Sequence, residues 1–485
     1  MKDAPMAMAA THQPQVLVAG AGPAGLVAGI ALARYGIGVL VVEKRAAIST
    51  LSRALVISTR NMEILRAWGL EAAVRAGAAE VEPCGWVTST LASGEGVEIP
   101  LGYPTTAEAA AVSPTRPAWA PQDHLEPLLL EQLRSLPSAQ VRFDAELIGI
   151  EQDDDGVRAV VGDRASGDTQ YVCAEFVIGA DGAPSAVRAL LGIRLEGPDD
   201  LAEYHGIQFS APLTGLLGAR RYGINVVTHP DAAAVIAPRG LGDRWTLARE
   251  WRPGQVRLVD ATENDIARLI STAAGVPHVR PRIERVSAFS FAAQLADRYR
   301  VGRGFVVGDA AHRMTPRGGT GMNTAIQDAY DLGWKLAWVL RGWAGPDLLA
   351  SYEAERRPAG RHNVERSGDP GGARRTAVAE LPHDLNGRLA HHWLLRRGCA
   401  VSTLDLLEDG LTLLAADDEA GWDAAAATLD TRVPVAAHPV GTSVAAGIGV
   451  ASGGAVLLRP DGQLAANWPD PTVPPAAELA HLGLR

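Results

Sequence analysis

Apolar positions run unbroken through Val16–Ala19, pass a glycine-rich turn, resume through a segment reaching about Tyr35, and return in the run Gly38–Val42. That order predicts strand, tight turn, helix and strand. The uncharged stretch Gln15–Ala33 is long enough to suggest a membrane helix or a signal sequence, but Gly20, Gly22, Gly25, Gly29 and Pro23 argue against both. Two further strand-to-helix junctions follow. One is Glu175–Ile178, running through Gly179-Ala-Asp181-Gly182 to Ser185 and Arg188. The other is Gly304–Val307, running through Gly308-Asp309 and a glycine-rich loop into a helix that ends near Leu340.

Alternating apolar and polar residues at Gly223–Thr228, Ala233–Ala237 and Arg244–Arg249 predict strands of a separate sheet within residues 190 to 285, which the stretch Gly85–Ile99 is expected to join. The pieces Gly102–Pro117 and Gly368–Arg375 read as loops. From about Leu381 the character changes, with apolar segments at Val433–Ala436 and Ala455–Leu458 and a turn at Arg459-Pro460-Asp461-Gly462.

Gly20-Ala-Gly22-Pro-Ala-Gly25 satisfies the G-x-G-x-x-G pattern directly after a strand. Gly20 permits the turn, Gly22 lets the backbone approach a pyrophosphate, and Gly25 lets helix and strand pack closely, with phosphate at the positive end of the helix dipole. Glu43 ends the second strand, where a carboxylate accepts from ribose hydroxyls. These features favour a bound dinucleotide but do not choose between NAD and FAD. At the second junction, Asp181 is either a carboxylate beside a nucleotide or a plain helix cap.

At the third junction, Pro316, Gly318, Gly319 and Gly321 aim consecutive backbone donors and a helix N-terminus at one point. Such a point stabilises negative charge by up to about 2 kcal/mol when partly buried. A reduced isoalloxazine carries an anion around its N1–C2=O edge. The loop therefore suits a flavin better than a nicotinamide, with Asp309 within reach of the ribityl hydroxyls.

Composition narrows the field. A chain of 485 residues predicts two or three domains, and a formal net charge of −10 gives no basic footprint for nucleic acid or an anionic membrane surface. Cys84, Cys173 and Cys399 are odd in number and include no Cys-x-x-Cys, so no disulfide framework and no metal cluster is expected, and a cytoplasmic location fits. Lys2, Lys44 and Lys335 are the only lysines, which leaves few candidates for a mechanism needing a pocket lysine.

Taken together, these motifs resemble those of the group A FAD-dependent aromatic hydroxylases, the para-hydroxybenzoate and phenol hydroxylase type, in its polyketide-tailoring form. The likeness rests on the fingerprint with Glu43, on Gly179-Ala-Asp181-Gly182, and on Gly308-Asp309-Ala-Ala-His312 running into Gly318-Gly319-x-Gly321-Met322-Asn323. It continues through Gln327-Asp328-Ala329, Leu332-x-Trp334-Lys335-Leu336-Ala337 and Tyr352-Glu353-x-Glu355-Arg356-Arg357-Pro358, and spans about residues 14 to 365.

The resemblance implies an α/β chain with three parts. A Rossmann-like FAD domain is assembled from residues 14–84, 103–189 and 286–380. An inserted β-sheet substrate domain, 85–102 and 190–285, roofs the pocket. A small thioredoxin-like C-terminal domain, 381–485, lacks Cys-x-x-Cys. FAD is implied to be non-covalent. Pro23 and Ala24 complete its fingerprint turn, Lys44 and Arg45 follow the ribose acid, Arg53 and Gln122 sit where relatives contact phosphate or ribityl groups, and Met322 and Asn323 open the flavin-loop helix.

With one fingerprint already assigned to FAD, NAD(P)H is implied to dock transiently near Asp181, reduce the flavin and leave. O2 then adds at C4a, and the hydroperoxide hydroxylates an electron-rich aromatic, a polycyclic phenol of polyketide type. Baeyer–Villiger oxidation or epoxidation on the same scaffold stays open, as does a non-enzymatic flavin-fold escort protein, against which Asp309 and the complete glycine loop argue. A homodimer is left open.

Pocket residues are harder to read. Tyr222 with Asn225, His205 with Gln208, and Arg249 with Trp251 lie on three predicted strands. The odd offset lets only one member of each of the first two pairs face the flavin, and a core or sheet-surface role competes for every one. His312 reads as structural. Arg317 either adds positive charge near the flavin or points to solvent.

Overall fold

The computed structural model describes residues 13–468 except 219, 278 and, within 417–431, all but Trp422 and Ala426. Its central sheet has six strands in the order Arg300–Val301, Gly304–Val306, Phe176–Gly179, Val16–Ala19, Val39–Val42, Ala139–Arg142. Val16–Ala19 lies in the interior, parallel to both neighbours. Every residue of Val16–Ala19, Val39–Val42 and Phe176–Gly179 is buried, so these strands read as continuous apolar runs rather than alternations. The helix Pro23–Arg34 packs against the long helix Gly321–Leu340, and Gly333 permits the approach because a Cβ there would collide with that of Ala31.

A second sheet of seven strands runs Arg282–Phe291, Ala202–Ser210, Arg244–Glu250, Ala234–Pro238, Tyr222–Val227, Glu82–Thr88, Val97–Pro100. The expected contribution of Gly85–Ile99 is present as two strands, the first running parallel to Tyr222–Val227. The expected limits at 85 and 285 fall inside Glu82–Thr88 and Arg282–Phe291, because both strands pair within this sheet. One face buries Ile207, Phe209, Ile236 and Leu247 against Ile266 and Ile270 of the helix Glu263–Ala274. On the other face Ile224 meets Val56 and Trp119.

An antiparallel sheet of Ala145–Gln152, Val157–Asp163 and Thr169–Ala174 has no counterpart in the sequence expectations. Beyond it, the helix Ala377–Leu385 crosses the expected boundary at 381. The hairpin Trp393–Arg396/Cys399–Ser402 follows. A mixed sheet then runs in the order Val435–Pro439, Leu411–Ala415, Ala455–Leu458, Leu464–Trp468.

Buried charges fasten this C-terminal part to the rest. Arg388 Nε donates to Glu63 Oε2 at 2.9 Å, Arg60 Nη2 to the Asp461 carbonyl at 2.7 Å, and Arg459 forms a fork on Glu355 at 2.9 and 2.8 Å. Asp331, Glu355 and Asp461 converge closely, but Lys335 Nζ already sits among them, 2.8 Å from Asp331 and 2.9 Å from Glu355. Among the described residues no helix is long and apolar enough to cross a membrane.

Candidate cofactor and active site

The fingerprint glycines have separate tasks in the structure. Gly20 takes φ +104°, and a Cβ there would strike the Ala180 carbonyl; a Cβ on Gly25 would strike the carbonyl of Gly20. Gly22 differs, since nothing lies within 4 Å of where its Cβ would stand. It is the N-cap of Pro23–Arg34, and the amides of Ala24 and Gly25 precede the helix's first bond, Leu26 N to Gly22 O at 3.0 Å. Unpaired amides beside open space form an anion site. The buried Glu43 is fixed below the turn, accepting from Ala21 N at 2.9 Å and Arg45 N at 3.0 Å. Lys44 and Arg45 are exposed beside it.

Gln122 starts the helix Gln122–Ser135, with its amide bonded to the Ala54 carbonyl at 2.9 Å. Arg53 is exposed next to it in sequence space, one residue before Ala54. The Gln122 side chain donates through Nε2 to Glu126 Oε1 at 2.6 Å. Glu126 is 1% exposed; burial pushes its carboxyl above the usual range, while Gln122 and Arg53 favour the charged form. Sequence reasoning missed Glu126, although its i, i+4 spacing from Gln122 on a helix was a usable signal.

At the second junction Asp181 accepts from the Ser185 hydroxyl and from Val187 N at 3.1 Å, while the cap of the following helix is Ser185, whose hydroxyl accepts from Arg188 N at 2.9 Å. Gly182 follows at φ +83°. The fold brings this junction against the third. Phe176–Gly179 pairs with Gly304–Val306, and Arg188 donates to the carbonyls of Ala310 at 3.1 Å and Ala183 at 2.9 Å.

Asp309 is exposed and has no hydrogen-bond partner among the described residues. Downstream, Pro316 starts the glycine turn, with Gly318 at φ +78° and Gly319 at φ +63°. The amides of Gly321, Met322 and Asn323 precede the first bond of the long helix, Thr324 N to Thr320 O at 2.8 Å. The Asn323 side chain holds the loop from behind. Its Oδ1 accepts from Ser58 N and Asn61 Nδ2, both at 2.8 Å, and its Nδ2 donates to the carbonyls of Gly319 at 2.9 Å and Val56 at 3.1 Å. Only the backbone amide of Asn323 is left for a ligand. His312 is fully buried, with Nε2 2.7 Å from Asp328 Oδ2, so it braces the loop's base, as expected of a structural residue.

The seven-stranded sheet sorts the pocket candidates by face. His205 pairs with Arg249, and Asn225 with Ile236, which belongs to the core under Glu263–Ala274. Paired residues share a face. His205, Asn225 and Arg249 therefore point away from the glycine loop, contrary to the expectation that they line the pocket. His205 bonds Glu203 Oε1 at 3.0 Å and accepts from Leu258 N at 2.8 Å, and Asn225 donates to the Ile236 carbonyl at 3.3 Å. His205 and Arg249 line a cavity of about 440 Å³ on that outer side. Tyr222 stacks on Trp86 at 5.2 Å. Gln208 is the member of its pair turned toward the fingerprint domain, donating to the Ser52 carbonyl at 2.9 Å. Arg317 does not simply enter solvent: its guanidinium lies 5.4 Å over Phe291, which stacks on Tyr204 at 4.1 Å.

Open space at Gly22, an exposed Asp309 and unpaired helix-start amides at two junctions fit a flavin dinucleotide. The sequence matches the family described as FAD binding domain over residues 13–367, and that described as aromatic-ring hydroxylase, C-terminal, over residues 383–482. The chain belongs to the FAD-dependent aromatic-ring hydroxylases. It is an FAD-dependent monooxygenase of the para-hydroxybenzoate hydroxylase-like family.

Two curated relatives of this hydroxylase are similar along their whole length. A putative polyketide hydroxylase of Streptomyces halstedii is 34% identical, with 96% of this chain and 95% of the relative covered. The tetracenomycin A2 monooxygenase-dioxygenase of Streptomyces glaucescens is 33% identical, with 94% and 93% covered. Among solved structures, a ternary complex of aklavinone-11 hydroxylase with FAD and aklavinone superposes with a TM-score of 0.87 at 31% identity, covering 97% of this chain and 98% of that one.

Proposed function

We propose that this monooxygenase hydroxylates a planar, multi-ring phenol of polyketide type, using NAD(P)H and O2. The observation that carries the flavin placement is the glycine loop, where successive amides from the start of the helix Gly321–Leu340 lie near Asp309, a carboxylate with no partner among the described residues. The substrate class rests on relatives named for polyketide, tetracenomycin and aklavinone chemistry. When bound, FAD takes two electrons from NAD(P)H and passes them to O2, so that one oxygen atom enters the ring and the other leaves as water.

The chain supplies position and charge. Gly22, Ala24 and Gly25 hold the pyrophosphate through backbone amides, and Glu43 accepts from the adenosine ribose. Gln122, its Nε2 committed to Glu126, presents its amide oxygen to a ribityl hydroxyl, and Asp309 accepts from another. The amides at Gly321, Met322 and Asn323 stabilise the negative pyrimidine edge of the reduced ring, and Asp181 and Gly182 border the approach of NAD(P)H. The face of the seven-stranded sheet that carries Gln208 and Ile224 covers the pocket and excludes water. The C-terminal part is a thioredoxin-like appendage used for packing, since Cys399, on its hairpin strand Cys399–Ser402, has no Cys-x-x-Cys partner. With Cys84, Cys173 and Cys399 all free, the enzyme suits a reducing, cytoplasmic setting.

The test is NADH and NADPH oxidation with a panel of mono- and polycyclic phenols, followed by mass analysis. A true substrate accelerates oxidation and gains one oxygen atom. Insertion into a ring C–C bond or formation of an epoxide would reassign the reaction, and colourless purified protein would remove it.

A further inference from the structure

We propose that Tyr103 is a positioning residue for the flavin: its hydroxyl holds the carbonyls of Gly318 and Gly319, so that the loop's amide edge faces the isoalloxazine. This rests on the assignment of the glycine loop to the flavin. Tyr103 Oη lies 3.1 Å from the Gly318 oxygen and 3.0 Å from the Gly319 oxygen, and its single proton is shared between them. Asn323 Nδ2, which also donates to Gly319 O, lies 3.4 Å from the same hydroxyl.

The C=O and N–H of a trans peptide point in opposite directions, and no cis bond occurs among the described residues. Fastening both carbonyls on the Tyr103 side therefore turns the amides of those two peptide units away from it. The Gly319 amide closes a turn on the Pro316 carbonyl at 3.1 Å, which leaves Thr320 N at the head of the series continued by Gly321, Met322 and Asn323. The Gly318–Gly319 unit has no side chain to restrain it and both residues take positive φ, so a flipped peptide is within easy reach. The hydroxyl selects one of the two orientations.

Tyr103 is itself well anchored. Its ring stands edge-on to Trp119 at 5.5 Å and 75°, and Trp119 Nε1 donates to the Gly223 carbonyl at 3.1 Å. Leu101, two residues earlier, accepts from Arg366 Nη2 at 3.0 Å. Tyr103 also lies three residues after the edge strand Val97–Pro100, so one side chain joins the end of the seven-stranded sheet to the loop.

The experiment compares Tyr103→Phe, Tyr103→Leu and Gly319→Ala with the wild-type holoenzyme. Two quantities are read: the Kd for oxidised FAD and the two-electron midpoint potential of the bound flavin. Tyr103→Phe is expected to leave the Kd for oxidised FAD unchanged while weakening the hold on reduced FAD about tenfold, which lowers the potential by about 30 mV. Tyr103→Leu should shift it by the same amount, because both lack the hydroxyl. A shift with Leu but none with Phe would assign the effect to ring packing and overturn the inference. If Gly319→Ala moves the potential and Tyr103→Phe does not, Tyr103 has no positioning role although the loop still holds the flavin. If Gly319→Ala and Asp309→Ala both leave potential and affinity unchanged, the loop is not the flavin site and the underlying assignment falls.

Discussion

His312 and Asp328 form a fully buried pair, with Nε2 2.7 Å from Oδ2, and the other oxygen of Asp328 accepts from Arg356 Nε at 2.9 Å. Burial raises the Asp328 carboxyl, but His312 and Arg356 outweigh it and hold it below the usual range. Asp328→Asn leaves Arg356 buried without its hydrogen-bonded counter-ion and is expected to cost about 3 to 5 kcal/mol, read from urea unfolding of the apoprotein. The pH dependence follows the same sign. The contribution of Asp328 is complete above its unfolded value of about 3.9 and is lost as pH falls through the lower folded value. A variant as stable as wild type at pH 7 would remove the pair from this role.

Asp331 behaves in the opposite way. Burial pushes its carboxyl up to about 6, with Lys335 pulling down and Glu355 and Asp461 pushing further up. A carboxyl raised on folding contributes stability below its unfolded pKa of about 3.9, and that contribution is lost as pH rises toward 6. Asp331→Asn is therefore expected to gain in melting temperature relative to wild type between pH 4 and pH 6. A constant difference across that window would count against a raised Asp331.

Gly22→Ala separates binding from folding. Gly22 has an ordinary φ of −79° and open space around it, so the apoprotein should keep its stability within about 0.5 kcal/mol. The methyl group stands where the pyrophosphate approaches, and FAD affinity should fall at least tenfold by fluorescence titration. Gly25→Ala, which collides with the Gly20 carbonyl, should instead impair folding itself.

Asp309→Ala removes an exposed carboxylate that bonds nothing in the protein among the described residues, so stability should barely change. A hydrogen bond to a charged group contributes about 1.5 to 3 kcal/mol, which predicts FAD binding weaker by about 10- to 150-fold. Yellow holoprotein at undiminished occupancy would refute the assignment.

Arg249→Ala tests the sheet's sidedness. Its side chain faces the outer cavity, so kcat/KM should stay within twofold of wild type, whereas Gln208→Ala, on the covering face, should change it. A large loss with Arg249→Ala would mean that the outer cavity serves the reaction.

The nucleotide fold was legible because its strands are buried on both faces and its glycines recur at fixed short spacing. Val16–Ala19 and Gly304–Val307 could be read without any partner in view. The three-stranded sheet of residues 145 to 174 was not, since strands such as Thr169–Ala174 are largely exposed and leave no clear apolar alternation. Sidedness failed for a related reason. That only one of His205 and Gln208 faces the flavin follows from parity, but which one depends on register with Arg244–Glu250, set by partners elsewhere in the chain. Tyr103 was invisible as a site residue because it acts on carbonyls more than two hundred positions away, within a stretch that looked like plain loop.

The interior place of Val16–Ala19 has a consequence for how the enzyme is made. This strand needs Phe176–Gly179 on one side, and that strand in turn needs Gly304–Val306. Val16–Ala19 and its near neighbour Val39–Val42 thus leave the ribosome long before the strand on the other side exists. Their sheet is complete only once the chain has been made through Gly304–Val306, with all the intervening residues to be accommodated meanwhile. Nascent protein of this kind exposes bare apolar strand edges for an extended period, so its yield in a cell is expected to depend on chaperone supply as well as on the final stability of the folded enzyme.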